Sequence, residues 1–576
     1  MPFALQGVPH PNEERQTMRR MLLALATVFF PTLILAQQTN PPAPAPRNAP
    51  AAATPAAERP QREERATPAA QPSTPPAEPE RAAPGGGVEG LRPMHFDVAE
   101  VPPVVTHHEI HVDGKPLRYT ATTGRLPIKD AEGKIEAEMF FVAYTLDDAD
   151  PATRPVTFAY NGGPGSATIW LHMGALGPRK VVLEPEGWLP PSPYRLEDNP
   201  STPLDKTDLV LVDAIGTGYS RPADQAAARK YWNLRGDIEA FGEFIRLYIS
   251  RYERWSSPLY LFGESYGTTR SAGLAGYMTS HGINFNGIVL LSTVLNFETL
   301  DDSFTNDVPF PMLLPSFTSI AWYHKKLPAD LMSDPNRARK ESMDFALGEY
   351  TQALAAGDKL SPQERQNVID KLNRYTGISK EVIEWANLRL NVQTFTHFLL
   401  ADQRLRVGRL DGRFKGPDPD GFMNTRFFDP SSAETGPPFT SVFYDYVRRE
   451  LNYKVDMPYY VSAGQSGNFH FSLSPPETGP GPGGGEGGPP ETVTPLREAI
   501  VKDRYLKILN MEGFYDLATP YLAAWYTFDH LDLPPQYRQN ISHAQYEAGH
   551  MVYLDSKAHA KMKQDFASFI DATTKR

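Results

Sequence analysis

Between residues 104 and 146 apolar side chains recur at alternating positions, and the alternation breaks at Asp113-Gly114 and Glu132-Gly133. A two-residue period interrupted by Asp-Gly or Glu-Gly predicts extended segments joined by tight hairpins. Further on, short apolar runs at 155–160, 207–213, 259–262, 285–292 and 505–510 predict buried strands, and 458–463 has weaker strand character. Between two of these runs the period changes. Over 234–252, Ile238, Phe241, Phe244, Ile245, Tyr248 and Ile249 fall at helical spacing and form one apolar stripe. A helix is also expected from Thr268 to Met278, and an amphipathic one from Lys557 to Ile570. Strand, helix, strand, turn, helix is the order of a parallel crossover unit, so the class is α/β with a mostly parallel central sheet.

From 298 to 445 helical patterns dominate. Ser361-Pro362-Gln363-Glu364 has the N-cap, the first-turn proline and the glutamate of a capping box, followed by Val368, Ile369 and Leu372 on one face. This stretch reads as a helical lid inserted between a first core segment, 101–297, and a second, 446–576. The glycine- and proline-rich run from Ser474 to Pro490 reads as a mobile surface loop.

The start of the chain is of another kind. Arg19-Arg20 precede a short apolar stretch ending at Ala36, the layout of a secretory signal peptide with Met18 as its start and cleavage after Ala36. Residues 1–36 are assigned to that segment. Residues 37–100 are mostly Pro, Ala and charge, with little apolar surface to bury, and read as a disordered spacer. The expected location is therefore periplasmic or extracellular, with no stable membrane span once the signal is removed. The absence of cysteine excludes disulfides, a thiolate metal site, a Cys nucleophile and lipidation at a lipoprotein-type site. A net charge of −11 argues against nucleic acid as a partner.

The chemistry is concentrated in a few motifs. Gly263-Glu264-Ser265-Tyr266-Gly267 joins a predicted strand to a predicted helix, the context of a nucleophile elbow. Asn161-Gly162-Gly163-Pro164-Gly165-Ser166 follows another strand, where a glycine cluster can point backbone N–H groups at one place, as an oxyanion hole requires. Asp516 and His550 follow later, giving the chain order Ser, acid, His of α/β-hydrolases, with His543 as the nearest rival histidine. A serine hydroxyl needs a neutral imidazole to accept its proton, and the acid orients that imidazole. Other readings fail on spacing. His108-Glu109-Ile110-His111 is one residue short of the helical zinc motif, and His107, His108 and His111 fall on a predicted strand. Gly216-Thr217-Gly218 lacks the third glycine of a dinucleotide fingerprint. No metal and no organic cofactor is implied.

Taken with Gly177-Pro178, Asp213 to Ser220, Gly513-Phe514-Tyr515-Asp516 and Gly549-His550-Met551-Val552, these motifs resemble the serine carboxypeptidase family of α/β-hydrolases, in family order over about 155–555. The resemblance implies an α/β-hydrolase fold and removal of C-terminal residues from peptides with a free C-terminus, through a Ser265 acyl-enzyme assisted by His550 and Asp516. It also implies an oxyanion hole from the N–H groups of Gly163 and Tyr266, and recognition of the terminal carboxylate by Asn161 and Glu264. A protonated Glu264 is needed to donate to a carboxylate, so this recognition should favour acidic pH. The chain departs from the family where Ser166 replaces a cysteine and where Ala175 replaces a second acid two residues before Gly-Pro. Carboxylate recognition then falls to Glu264, Asn161 or other groups. An esterase or acyltransferase on the same fold, and a catalytically idle binding protein, are the alternatives.

Overall fold

Three long strands open the fold: β1 (Val104–Val112), β2 (Lys115–Lys129) and β3 (Ile135–Leu146) form an antiparallel meander whose turns fall at the two predicted Asp-Gly and Glu-Gly breaks. The computed structural model describes residues 95–418, 429–472 and 490–574. The expected signal peptide, most of the spacer and nearly all of the 474–490 loop lie outside the described residues. The spacer joins the fold earlier than 101, because Phe96 N–H donates to the Ala223 carbonyl at 2.8 Å.

Beyond the meander come β4 (Val156–Tyr160), β5 (Asp208–Val212), β6 (Leu259–Glu264), β7 (Gly287–Leu291), β8 (Lys507–Gly513) and β9 (Ile541–Tyr546). With the short pair Arg221–Pro222 beside β3, they build a ten-stranded sheet in the order β1-β2-β3-β5-β4-β6-β7-β8-β9. From β5 to β9 every neighbouring pair is parallel, while β3 meets β5 antiparallel. This is the α/β-hydrolase fold expected from the sequence. Parallel strands are covered on both faces and so read as unbroken apolar runs: β4, β5 and β7 are buried at every residue.

Alternate residues of one strand supply opposite cores. Met139, Phe141 and Ala143 join Phe158, Val210 and Leu261 under α1 (Leu234–Arg251) and α2 (Tyr266–Ser280). Phe140, Val142 and Tyr144 join Leu211, Phe262 and Met511 on the other face. A third core is built on α3 (Pro309–Tyr323), where Phe317 and Ile320 pack with Val368, Ile369 and Leu372 and with Tyr515 and Tyr521 from the segment after β8. The capping box at Ser361 is formed, with Ser361 N–H donating to Glu364 at 2.8 Å. Two later helices, α4 (Pro430–Arg449) and α5 (Ser556–Thr574), send Phe439, Phe443, Phe566 and Ile570 onto the sheet face opposite α1.

Two details differ from the sequence pattern. Residues 458–463 form no strand of the sheet: Tyr460 and Ser462 make isolated bridges to Gly218 and Ser166, after which Ala463–Ser466 turns as a short helix. Their partners are loop residues, so no ladder can propagate. The helix after the elbow begins at Tyr266, directly behind Ser265.

Among the described residues no group of His, Asp and Glu is arranged to hold a metal ion. His107 and His108 hydrogen-bond Thr120 and Thr106. No helix among the described residues is long and apolar enough to cross a membrane.

One buried carboxylate clamps the edge from which β4 and β5 enter the sheet. Asp208 accepts from Arg154 Nε at 2.8 Å and Leu146 N–H at 3.0 Å on one oxygen, and from Arg254 Nη1 at 2.6 Å on the other. Asp208→Ala leaves two guanidinium groups with little access to water and no counter-charge, a loss of about 3–5 kcal/mol. A corresponding fall in the urea midpoint checks this; an unchanged midpoint contradicts it.

Candidate active site

The parallel register sets the site. Tyr160 of β4 pairs with Gly263 of β6, Leu291 of β7 pairs with both Glu264 and Met511, and Gly513 of β8 pairs with Tyr546 of β9. These strands end at one edge of the sheet, the place where open α/β sheets bind ligands. Asn161 follows β4, Ser265 follows β6, Asp516 follows β8 and His550 follows β9.

Ser265 has φ +60° and ψ −131°, a conformation that non-glycine residues avoid and the signature of a strained elbow. The turn tolerates it because its flanks carry no side chains. A methyl group on Gly263 would overlap the Gly267 carbonyl, and one on Gly267 would lie 2.8 Å from the Tyr160 carbonyl oxygen. The Asn161 loop is pressed against the same turn, since a methyl group on Gly162 would overlap the Tyr266 nitrogen. Gly163, at φ +109°, continues that loop. Among the described residues neither the Gly163 nor the Tyr266 N–H is used in another hydrogen bond, and Tyr266 opens its helix, where N–H groups lack partners four residues back.

A buried ion pair braces loop and elbow together. Arg270 Nε donates to Asp237 Oδ2 at 2.8 Å and its Nη1 to the Asn161 carbonyl at 2.8 Å, while the Tyr266 hydroxyl donates to Asp237 at 3.0 Å. The guanidinium sits over the Phe241 ring at 4.2 Å.

Asp516 is fully buried and its oxygens are saturated. One accepts N–H groups from Ala518 (2.7 Å) and Thr519 (3.1 Å); the other accepts the Thr519 hydroxyl and His550 Nδ1, each at 2.7 Å. With Nδ1–H given to Asp516, Nε2 of His550 is left as the basic nitrogen. Burial draws the His550 pKa down, but the charge and hydrogen bond of Asp516 together with Glu264 outweigh it and hold it above the ordinary value. His543 is elsewhere, on β9, bonded to Asn510 and packed on Phe528.

Glu264 is buried. That burial raises its pKa to about 7, with nearby Asp516 adding to the rise and with His550, Tyr553 and Asn161 opposing it. The Tyr553 hydroxyl donates to both carboxylate oxygens, at 2.9 and 3.2 Å. Asn161 accepts Leu171 N–H at 2.9 Å on its side-chain oxygen, leaving its amide N–H groups for Glu264 and Tyr553. Ala175 lies in the wide π-helical turn Leu171–Leu176, its carbonyl accepting from Asn199 and His559. The Tyr553 ring packs on that turn, so closely that a methyl group on Gly174 would lie 2.6 Å from it. Glu264 therefore has a tyrosine for a neighbour in place of a second acid. The sequence does not single out Tyr553, although it stands three positions after His550.

Asn161, Gly163, Glu264, Ser265 and His550 line one cleft of about 770 Å³. Tyr266 is not among the residues lining the cleft, and its ring is buried. Of the stretch expected to form a lid, Arg409, Leu410 and several residues of α4 reach this cleft.

A sequence model of the serine carboxypeptidase family matches residues 114–404. The chain belongs to that family. The match contains Asn161, Gly163, Glu264, Ser265 and Tyr266, and it places the chain among serine-type carboxypeptidases. Asp516 and His550 lie beyond the matched residues and are joined to the site by geometry. No match is found among curated proteins. Among solved structures the chain is similar to a proline iminopeptidase from Mycobacterium smegmatis, at 14% identity over 78% of this chain and 98% of the other, with a TM-score of 0.34. It is also similar to a carboxyl esterase from Bacillus coagulans, at 13% identity over 78% and 99%, with a TM-score of 0.33.

In this serine carboxypeptidase fold the loop–elbow contact leaves no room for a methyl group. Gly162→Ala should leave the far-UV circular dichroism intact yet slow fluorophosphonate labelling of Ser265 by roughly a hundredfold, the cost of an ångström-scale misplacement. Labelling at the parent rate would show that the contact does not position the serine.

Proposed function

We propose that the protein is an exported carboxypeptidase that removes C-terminal residues from peptides through an ester on Ser265. The observation that carries this reading is that a strained Ser265, an Asp516-oriented His550 and a buried Glu264 open on the same cleft. Ser265 Oγ attacks the carbonyl carbon of the last peptide bond and gives its proton to His550 Nε2. The C–N bond then breaks as His550 returns that proton to the leaving amine. Water attacks the ester next, His550 again takes the proton, and Ser265 Oγ recovers it as the shortened peptide leaves. The N–H groups of Gly163 and Tyr266 stabilise the oxyanion. Protonated Glu264 donates to the substrate's terminal carboxylate, and Asn161 turns to the same carboxylate one of the amide N–H groups it otherwise gives to Glu264 and Tyr553. Export is supported by Arg19-Arg20 and the apolar stretch ending at Ala36.

The pH dependence comes from two groups. Glu264 keeps its proton, and so can donate, below about pH 7, and loses it as pH rises through that value. His550 acts as a base only when neutral, and its pKa is raised above its ordinary value. The productive state holds one proton on the pair, located on Glu264, so kcat/KM for a blocked dipeptide acid should be bell-shaped around neutrality.

Glu264→Gln carries a donor at every pH and no charge. It should remove the alkaline limb and leave the acid limb close to its place, because in the productive state Glu264 is already neutral and does not raise the His550 pKa. Ser265→Ala should abolish release at every pH. An alkaline limb unchanged in Glu264→Gln rejects the carboxylate role, and hydrolysis of simple esters without release from any peptide rejects the peptidase reading. Export is checked separately: N-terminal sequencing of protein from the cell envelope or medium should begin at Gln37, and a chain retained in the cytoplasm from Met18 overturns it.

A further inference from the structure

Arg409 is the permanent cation among the residues lining the cleft, where Glu264 and His550 are the other ionisable groups. Its guanidinium has no hydrogen-bond or ion-pair partner among the described residues. The nearby acids are committed elsewhere. Asp411 is paired with Arg413 at 2.7 Å and also accepts Gly549 N–H. Asp429 caps α4, receiving the N–H groups of Ser431 and Arg409. Arg413, by contrast, is shared between Asp411 and Asp555.

The backbone at Arg409 is nevertheless fixed. Its N–H donates to Asp429 at 3.1 Å, and its carbonyl accepts Leu517 N–H at 3.1 Å, beside Asp516. The adjacent Leu410 carbonyl accepts His550 N–H at 2.6 Å. The charge is thus held next to the catalytic imidazole, and His550 feels it. A half-buried arginine whose backbone is fixed beside reacting groups, and whose guanidinium has no counter-ion, is free to receive an anion. Its planar fork matches a carboxylate and stays charged at pH values where Glu264 does not hold its proton.

We propose that Arg409 binds a carboxylate of the substrate within this cleft and so sets a preference for substrates that carry one there. Two sources fit: the C-terminal carboxylate, or an acidic side chain beside the scissile bond. The proposal rests on the carboxypeptidase reading only in taking peptides as substrates.

The test compares parent, Arg409→Gln, Arg409→Lys and Arg409→Glu on matched substrates. Blocked dipeptides ending in Leu as acid or amide report the terminal group. Pairs with Glu or Gln at the last or penultimate position report a side chain. The nitrophenyl monoester of succinate and nitrophenyl butanoate form a peptide-free pair. In Arg409→Gln the kcat/KM ratio between carboxylate and carboxylate-free partners should fall roughly ten- to a hundredfold, as for a lost charge-assisted hydrogen bond. Arg409→Lys should recover part of it, and Arg409→Glu should reverse the preference. A change confined to the acid–amide pair assigns the terminal carboxylate; one confined to the Glu–Gln pairs assigns the side chain. Equal losses on both partners of every pair, or none, overturn the proposal. If no peptide is cut, the carboxypeptidase reading fails while the nitrophenyl pair still decides the role of Arg409.

Discussion

The site depends on one steric constraint: two stretches of backbone meet where no side chain can intervene. The Asn161 loop lies on the turn that carries Ser265, with Gly162 against the Tyr266 nitrogen and Gly263 against the Gly267 carbonyl. The parallel pairing of β4 with β6 brings these two loops to the same level. Backbone packed this closely positions N–H groups more rigidly than side chains could, because no rotamer has to be frozen. It also explains why strain at Ser265 persists: the surrounding contacts leave the residue no easier conformation.

A chain without cysteine needs another way to hold such loops. The Arg270–Asp237 pair supplies it from the interior, reaching the loop through the Asn161 carbonyl and the elbow through the Tyr266 hydroxyl. A buried ion pair gives little net stability against an apolar substitute of the same shape, but breaking one partner is costly. Its value here is directional, since the rigid guanidinium fork fixes where the Asn161 carbonyl lies. Asp208 with Arg154 and Arg254 does the same at the opposite end of β4 and β5. The fold is thereby pinned at both ends of its central strands by charge.

The sheet was legible wherever burial on two faces produced an unbroken apolar run, as in β4, β5 and β7. It was illegible at β9, whose sequence Ile-Ser-His-Ala-Gln-Tyr is that of a half-exposed edge strand with little apolar content. The stretch at 458–463 misled for the complementary reason: Tyr459 buries against Tyr219 and Phe443, and Tyr460 lies under Arg221, without either joining a ladder. Within the site, Ser265 and its glycines declared themselves through spacing, because the turn admits few other residues. Tyr553 and Arg409 carry no such local signature. Their positions depend on how the segment after β9 and the stretch before α4 fold back on the cleft, contacts far apart in sequence that no local pattern encodes.

Burial of Glu264 also bears on product release. On the proposed reading, the released amino acid still carries the carboxylate by which it was recognised, so it remains a ligand of the protonated acid. Above about pH 7 the free enzyme must take up a proton to hold it. Product retention should then weaken by about tenfold for each further pH unit. The heat of product binding should vary with the ionisation enthalpy of the buffer, and a buffer-independent heat above neutrality would exclude this coupling. An acid placed out of water to recognise the incoming chain end would also act as a valve, loosening its hold on what has been cut as the medium turns alkaline.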